Sequence, residues 1–429
     1  MNNSLKLAAF VLVMSLVFSC NDTKKERNEK IVKEEQAVSA KDILGNPDYL
    51  AISYGGYREK NREVQPTIAE LKEDMKILSA MGVKILRTYN VHFNQAANLL
   101  KAITELRKED ASFEMYVMLG IWIDCKSAFN WENGEPDHSK ESERNPIEVN
   151  TAVSLAKQYP DIVKILAVGN EAMVRWATSY FVQPWIILKW VNHLQDLKKT
   201  GELPADLWIT SSDDYASWGG GDASYHTEDL EKLANAVDYI SMHTYPYHNS
   251  HYNPEFWKIP QIEENLTDKE KIDAAMLRAL NFAKTQYDSV SNYMKSIGVN
   301  KPIHIGETGW ASVSNGHYGK EGSRATDEYK QGLYHKHMRE WTKKENISCF
   351  YFEAFDEQWK DGQNPLGSEN HFGLINLQSE AKYPLWSLVD DGIFNGLTRD
   401  GKPITKTYNG NLEALMKDVL VPNTEYPRD

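Results

Sequence analysis

Short apolar runs alternate along the chain with longer segments in which apolar residues recur every three or four positions. The short runs are rich in β-branched and aromatic residues and predict buried strands, whereas the longer segments predict amphipathic helices. Seven of the eight predicted strands are followed by a clear helical segment. The predicted strands cover residues 49–54, 84–90, 115–123, 162–171, 207–211, 237–247, 302–310 and 348–355.

This alternation indicates parallel strands joined by crossover helices, which is the pattern of the α/β class. Eight such units predict a closed (β/α)8 TIM barrel rather than an open sheet. We expect the barrel to occupy residues 43–396, with residues 397–429 packed on it as a C-terminal appendage. The eighth helix is the weakest prediction and is limited to a short segment at 385–389.

The N-terminal residues 1–20 have the pattern of a bacterial lipoprotein signal peptide. A positive residue precedes a short apolar run at 7–18, which is too short to span a bilayer as a stable helix. The sequence VFSC at 17–20 resembles a lipobox, in which Cys20 becomes the lipidated first residue. Its aromatic residue is less usual there and leaves simple secretory cleavage as an alternative. Residues 21–42 are polar and charged and predict a solvated tether.

Composition narrows the range of partners. The chain has 429 residues and a formal net charge of -13, which argues against nucleic acid because phosphates require a basic surface. Its 12 tryptophans and 22 tyrosines suit a protein that binds flat apolar faces with polar edges, as sugars present. Cys125 and Cys349 lie apart in the predicted fold, so we expect no disulfide framework. We also expect a monomer.

Two predicted strands end in a glycine-containing turn followed by a glutamate. These are VGNE at 168–171 and GETGW at 306–310. A carboxylate at the end of a buried strand is costly unless it is paired or used, and function in this fold lies at the C-terminal strand ends. Two carboxyl groups roughly 5–5.5 Å apart are the machinery of a retaining glycosidase. Glu171 and Glu307 are therefore the candidate catalytic residues.

Aromatic, amide and charged residues accompany the two glutamates at the predicted strand ends. A hydroxyl or guanidinium donor such as Tyr245 or Arg87 could keep one carboxylate ionised. For Arg87 the alternative is a structural salt bridge, and for the tryptophans it is packing under loops. The histidines lack metal-ligand spacing, so we expect no metal and no cofactor. The predicted substrate-binding residues are Tyr54, Arg87, Asn90, Trp122, Asn170, Tyr245, Trp310, Glu357, Lys360 and Glu369.

Three motifs together resemble glycoside hydrolase family 17, the β-1,3-glucanase family of the large retaining (β/α)8 clan. They are VGNE, GETGW, and FEAFDEQWK at 352–360 followed by ENHFGL at 369–374. The likeness covers about residues 49 to 390. Plant members have a proline after the tryptophan of GETGW, where this chain has Ala311.

The resemblance implies a role for each matched position. Glu171 would be the general acid/base, Glu307 the nucleophile, and Asn170 the partner of the sugar 2-hydroxyl. The charged group after the eighth strand would orient Glu171 or bind sugar hydroxyls. Its members are Glu357, Lys360 and Glu369.

The function expected from the sequence is retaining hydrolysis of a laminarin-like β-1,3-glucan through a covalent glycosyl-enzyme. One alternative is a β-1,3-glucanosyltransferase with the same site, and another is a different specificity, such as β-1,4-mannan or β-1,3-1,4-glucan. A third is a surface glycan-binding lipoprotein without turnover. Insertions at 126–145 and 247–268 leave endo or exo action open. With a polysaccharide substrate, the lipobox favours display at the cell envelope, on the outer membrane.

Overall fold

The computed structural model describes residues 38–129 and 134–425. The predicted signal peptide, Cys20 and most of the tether lie outside the described residues. Eight parallel strands close into a barrel, which confirms the (β/α)8 prediction. The barrel strands are β1 Leu50–Ser53, β2 Val83–Arg87, β3 Tyr116–Ile121, β4 Val163–Asn170, β5 Trp208–Asp214, β6 Ile240–His243, β7 Ile303–Gly309 and β8 Cys349–Phe352.

Each strand pairs in parallel with its neighbours in sequence, and β1 pairs with β8 to close the barrel, with Ile52 opposite Tyr351. Every residue of β3 and β7 is buried. Parallel strands covered on both faces have few polar positions, which explains why β3 appears in the sequence as an apolar run without polar alternation.

Among the described residues, seven longer helices connect the strands and cover the outside of the barrel. Their ends carry ordinary helix signals, such as the capping box of Thr67 with Glu70 and the proline at position 184. The connecting helices are α1 Ile68–Ala80, α2 Asn94–Glu109, α3 Asn145–Gln158, α4 Pro184–Lys199, α5 Glu228–Ala236, α6 Asp268–Ser296 and α7 Glu328–Lys344. In the ranges that the structure describes, the helices are too short or too polar to cross a lipid bilayer.

The bottom of the barrel is closed by residues that precede β1. A short helix at Ala40–Ile43 buries its two terminal side chains in a cluster that also contains Met118 and Tyr239. The barrel packing therefore begins at the last residues of the predicted tether. Because this end is filled with apolar side chains, the opposite rim, where the strands end, is the place for chemistry.

The structure differs from the prediction most clearly after β6. The predicted strand at 237–247 is cut short at His243, and Pro246–Tyr252 forms a short helix instead. Pro246 is the first residue of that helix, where its missing N–H costs nothing. The insertion after β3 contains a small hairpin, Cys125–Lys126 paired with Asp137–Glu141.

The segment after residue 396 packs on the outside of the barrel. It contains a tight hairpin, Thr398–Arg399 with Lys402–Pro403, and a short helix, Leu412–Lys417. The Nε of Arg399 donates to Asp74 on α1 at 2.9 Å, and both side chains are fully buried. A short helix at Trp386–Asp390 stands where the weak eighth helix was predicted.

Candidate active site

A sharp turn at the end of β4 presents Glu171 to the rim. Gly169 has a φ of +83°, and a Cβ there would lie 2.8 Å from the Cβ of Ala172, so the turn requires glycine. Glu171 itself has a φ of +46°, and its amide donates to the carbonyl of Ser212 on β5 at 3.0 Å. The glycine two positions before Glu171 therefore has a local structural cause.

Glu307, on β7, is surrounded by donors. The hydroxyl of Tyr245 donates to Oε1 at 2.6 Å and that of Tyr89 donates to Oε2 at 2.7 Å. Arg87, at the end of β2 and 1% exposed, forms an ion pair with the same carboxylate. Burial acts to raise the pKa of Glu307, but the Arg87 charge, helped by the hydroxyl donors, outweighs it and holds the pKa well below its usual range. Glu307 is therefore ionised.

Glu171 has a different neighbour. Its Oε1 lies 3.0 Å from Nδ1 of His243, the last residue of β6, and Nε2 of the same ring lies 2.8 Å from the hydroxyl of Ser212. Burial lowers the pKa of His243 to about 4, so the ring is neutral near pH 7. Burial also raises the pKa of Glu171, and the negative charge of Glu307 adds to that effect. Glu171 is therefore suited to hold a proton.

The two carboxylates meet in one groove although they come from strands on different sides of the barrel. One ligand atom each from Glu171, His243 and Glu307 all lie within 4.8 Å of one another. This closeness fits the roughly 5–5.5 Å spacing of retaining enzymes and not the 6.5–9.5 Å of inverting ones. The same three side chains could hold a metal ion, but Arg87 already compensates the negative charge of Glu307. The expectation that the protein binds no metal stays a prediction.

A cleft of about 850 Å³ extends from Glu307 along the rim of the barrel. Its walls come from the loops after β1, β2, β3, β4 and β8. Aromatic side chains dominate these walls, with polar groups between them, as expected for a site that binds sugar rings. The aromatic residues that face the cleft include Tyr57, Tyr89, Trp122, Phe129, Tyr180 and Trp359.

Most of the predicted binding residues come together here. Arg87 and Tyr245 hold Glu307, and Arg87 also donates to the side-chain oxygen of Asn170. Tyr54 also lines the cleft, but its hydroxyl is bonded to Asp74 at 2.9 Å. The other predicted residues that line the cleft are Asn90, Trp122, Asn170, Glu357, Lys360 and Glu369.

Trp310 is the exception. It is 0% exposed, its Nε1 donates to the carbonyl of Ala325 at 2.7 Å, and its ring packs against Trp257 and Tyr334. A ring enclosed in this way has no face to offer a sugar. The prediction of Trp310 as a binding residue therefore does not fit the structure, because the side chain supports the barrel from behind the site.

The charged group after β8 is held by a buried carboxylate that the sequence did not single out. Nζ of Lys360 lies 2.6 Å from Glu353 and 3.5 Å from Glu357. Glu357 also accepts from the indole of Trp359 at 2.9 Å and from the backbone N–H of Tyr57 at 3.1 Å. These contacts fix Lys360 and Trp359 at the wall of the cleft.

Two further site residues, Tyr89 and His243, were missed as contacts of the catalytic pair. Each is two positions from a residue that was predicted, namely Arg87 and Tyr245. Side chains two apart on a strand point to the same face. The two-residue spacing from Arg87 and from Tyr245 was therefore the signal in the sequence for Tyr89 and His243. For the cleft aromatics Phe129 and Tyr180 the sequence held no comparable signal, because they come from separate loops.

A (β/α)8 barrel with two adjacent glutamates of opposite ionisation at its C-terminal rim defines a glycoside hydrolase. The chain belongs to the BtgE/BtgC glycoside hydrolase domain family, whose model matches residues 51–373. This match confirms the glycoside hydrolase resemblance drawn from the three motifs.

Individual relatives agree with this assignment. An endo-laminarinase from Formosa Hel1_33_131 is 63% identical, with a TM-score of 0.89, over 91% of this chain and 99% of that one. A glucan 1,3-β-glucosidase from Arthroderma benhamiae is 23% identical over 73% of this chain and 83% of its own length. A glycoside hydrolase family 17 β-1,3-glucanosyltransferase from Rhizomucor miehei has the same fold, with 21% identity and a TM-score of 0.53 over 79% of this chain and 96% of that one. The chain spans less than half the length of matched relatives from Aspergillus.

Proposed function

We propose that this protein hydrolyses β-1,3-glucan of the laminarin type by internal cleavage with retention of configuration. One observation carries the proposal: the buried carboxylate of Glu307 and the half-buried carboxylate of Glu171 have oxygens within 4.8 Å of each other and pKa values displaced in opposite directions. That pairing supplies an ionised nucleophile and a protonated acid at the same bond. The 63% identity to an endo-laminarinase supports the choice of linkage and endo action.

In this proposal each group has one role. Glu307 attacks the anomeric carbon and forms a glycosyl-enzyme, while Glu171 gives its proton to the departing glycosidic oxygen. Water then attacks the same carbon, Glu307 leaves as a carboxylate, and Glu171 takes the proton of the water. The Arg87 guanidinium keeps Glu307 ionised in the free enzyme and holds the Asn170 side chain beside it. The amide nitrogen of Asn170 is then free of that bond to meet the sugar 2-hydroxyl.

A panel of polysaccharides with product sizing tests the substrate. We expect reducing ends to be released from laminarin as a series of oligosaccharides, and no release from β-1,4-mannan. Glu307→Gln should abolish release while the protein stays folded, because the amide cannot form the glycosyl-enzyme. Glu380→Gln, a partly exposed glutamate away from the cleft, is the matched control. Full activity in Glu307→Gln would remove the nucleophile role.

The stereochemistry has its own test. Proton NMR of the first products should show the β-anomer before mutarotation, since two displacements at one carbon restore the configuration. First appearance of the α-anomer would contradict retention. Products longer than the substrate at high sugar concentration would indicate the glucanosyltransferase alternative, which shares all of this machinery.

The proposed location at the outer membrane rests on the lipobox alone. Lipidation at Cys20 would attach the chain to a membrane, with residues 21–37 leading to the barrel. Cys20→Ser should release the protein from the membrane fraction, and mass spectrometry of the native N-terminus should find the lipid. An unmodified Cys20, or cleavage at another position, would contradict the anchor.

A further inference from the structure

Three aromatic side chains, Trp122, Phe129 and Tyr180, pack together on one wall of the cleft, with the ring centroids of Trp122 and Phe129 6.3 Å apart, and this cluster is called the aromatic row below. The ring centroids of Trp122 and Tyr180 are 5.3 Å apart, and those of Tyr180 and Phe129 are 5.2 Å apart with the rings 25° from parallel. All three line the cleft, and Phe129 is 54% exposed. Apolar ring surface left open beside a catalytic centre is favourable only when a ligand covers it.

The aromatic row is held in place before any sugar arrives. The backbone N–H of Phe129 donates to the carbonyl of Ser179 at 3.0 Å, and that of Cys125 donates to the carbonyl of Tyr180 at 3.1 Å. These two bonds tie the insertion after β3 to the loop after β4. A preformed surface of this kind costs little ordering entropy when it binds.

The aromatic row lies on the Glu171 side of the catalytic pair. Tyr180 is in the loop that Glu171 begins, and the backbone N–H of Val182 donates to the carbonyl of Ala172 at 2.7 Å, which folds that loop back on the acid. Burial raises the pKa of Tyr180, and the charge of Glu171 is the next cause. Tyr57 and Trp359, with ring centroids 5.7 Å apart, come instead from the loops after β1 and β8.

We propose that the aromatic row binds the glucosyl units on the leaving-group side of the scissile bond and, after they depart, the acceptor of the glycosyl group. The assignment rests on the proposed function. The acid must touch the oxygen that departs, so the departing chain begins at Glu171 and continues along the surface beside it. The units that stay attached to Glu307 then lie toward Tyr57 and Trp359.

The same surface decides the fate of the glycosyl-enzyme. When the attacking group is a hydroxyl of a sugar held on the aromatic row, its oxygen bonds to the anomeric carbon. The bond to Glu307 then breaks to regenerate the carboxylate, and Glu171 takes the hydroxyl proton. When water attacks, the same electron and proton movements give hydrolysis. Sugar binding on the row therefore favours transfer over hydrolysis at high sugar concentration.

Phe129→Ala tests the assignment with two substrates. Laminarihexaose covers both sides of the scissile bond, whereas β-laminaribiosyl fluoride has a leaving group of one atom, which makes no contact with the aromatic row. We expect kcat/KM for laminarihexaose to fall roughly 3- to 10-fold, the size of one aromatic contact. The rate of fluoride release should fall far less than the value for laminarihexaose, and the fraction of transfer products from added laminaribiose should fall. Phe129→Trp should restore both losses.

Tyr252→Ala is the matched control, because Tyr252 is an aromatic residue that is 65% exposed and is not among the residues that line the cleft. It should change none of these quantities. An equal loss with both substrates in Phe129→Ala would place the row on the other side of the bond and overturn the assignment, as would no loss with either. A failure of the proposed function would give a different result. If that function is wrong, the wild-type protein will cleave neither substrate, and the assignment of the aromatic row is then wrong as well.

Discussion

Glu307 and Glu171 are the same residue type, with carboxylate oxygens within 4.8 Å of each other, yet their surroundings are opposite. Glu307 is contacted by a guanidinium and two hydroxyls that all donate to its ionised form. Glu171 is contacted by the neutral ring of His243 and faces the negative charge of Glu307. The division of labour therefore comes from the neighbours and not from the carboxyl groups themselves.

The acidic residues below Glu171 extend this contrast. Burial raises the pKa of Asp213 to about 6, and burial followed by the charge of Glu171 raises the pKa of Asp214. Asp213 accepts a hydrogen bond from the backbone N–H of Met173 at 2.7 Å, next to the turn that presents Glu171. Several carboxyl groups near Glu171 share few hydrogen-bond donors, which favours their protonated forms. Around Glu307 the guanidinium and the hydroxyl donors favour the ionised form.

Glu171→Gln should separate the two roles most completely. The amide keeps the shape but carries no transferable proton, so we expect laminarin hydrolysis to fall by about 10³, within the range of general acid catalysis. Release of dinitrophenolate from an activated aryl laminarioside should persist, because that leaving group needs no proton. Glu307→Gln, by contrast, should lose both activities. Equal loss of both substrates in Glu171→Gln would contradict the acid role.

Arg87→Met should reduce the difference in pKa between Glu307 and Glu171, because it removes the charge that holds Glu307 ionised. The pKa of Glu307 is lowered in the native site, so the rate rises with pH as that group loses its proton, and removing Arg87 should move this acidic limb to higher pH. We expect kcat to fall by about 10²–10³, as when one electrostatic donor is lost. The measurement is the pH dependence of kcat from pH 3 to 9.

Arg87→Lys is the matched variant for that profile. It keeps a positive charge but cannot reach Glu307 and Asn170 together as the guanidinium fork does. Its acidic limb should stay near the wild-type position while kcat falls. An acidic limb that does not move in Arg87→Met would show that other groups set the ionisation of Glu307. Circular dichroism checks the fold, because a buried charge that loses its partner destabilises a protein.

The barrel and the meeting of Glu171 and Glu307 could be predicted because both depend on local patterns. Strand and helix alternation is visible within windows of ten to twenty residues, and a glutamate after a glycine turn stands out at the end of an apolar run. Trp310 was misplaced although the needed information was present. It follows Glu307 by three positions, an odd number, so strand alternation puts it on the opposite face, toward the helices.

Other features could not be predicted, because they depend on contacts between distant segments. Glu353 directly follows the last residue of β8 and is buried against Lys360; its place after an apolar run indicates a carboxylate that needs a partner, but the sequence does not tell which residue that partner is. The pKa contrast also needs the closed barrel, which brings β2, β4, β6 and β7 to one groove. Sequence spacing fixes the face of a strand, but only closure fixes which strand ends meet.

Tyr245→Phe should weaken the stabilisation of the ionised form of Glu307, while its charge partner Arg87 remains. The variant loses the hydroxyl that donates to Oε1 at 2.6 Å, while Arg87 and Tyr89 remain. A hydrogen bond to a charged group contributes about 1.5–3 kcal/mol, so kcat should fall roughly 10- to 100-fold and the acidic limb should move up less than in Arg87→Met. Tyr247→Phe, a buried tyrosine two positions on, is the control for folding. An unchanged limb would mean that Tyr245 positions substrate and does not support ionisation.

Ser212→Ala should have the smallest effect, because it acts on Glu171 only through His243. The hydroxyl of Ser212 lies 2.8 Å from Nε2, and with Nδ1–H directed at Glu171 it is Nε2 that accepts. Without this partner the ring loses its preferred tautomer, and we expect kcat to fall about 5-fold, near the net value of one hydrogen bond, with KM unchanged. Ser211→Ala is the matched control, since the adjacent side chain of β5 points to the other face and its hydroxyl lacks a hydrogen-bond partner among the described residues. Equal losses in the two variants would show that the effect is packing within β5, and the proton on Glu171 would then be oriented by the turn after β4 rather than by His243.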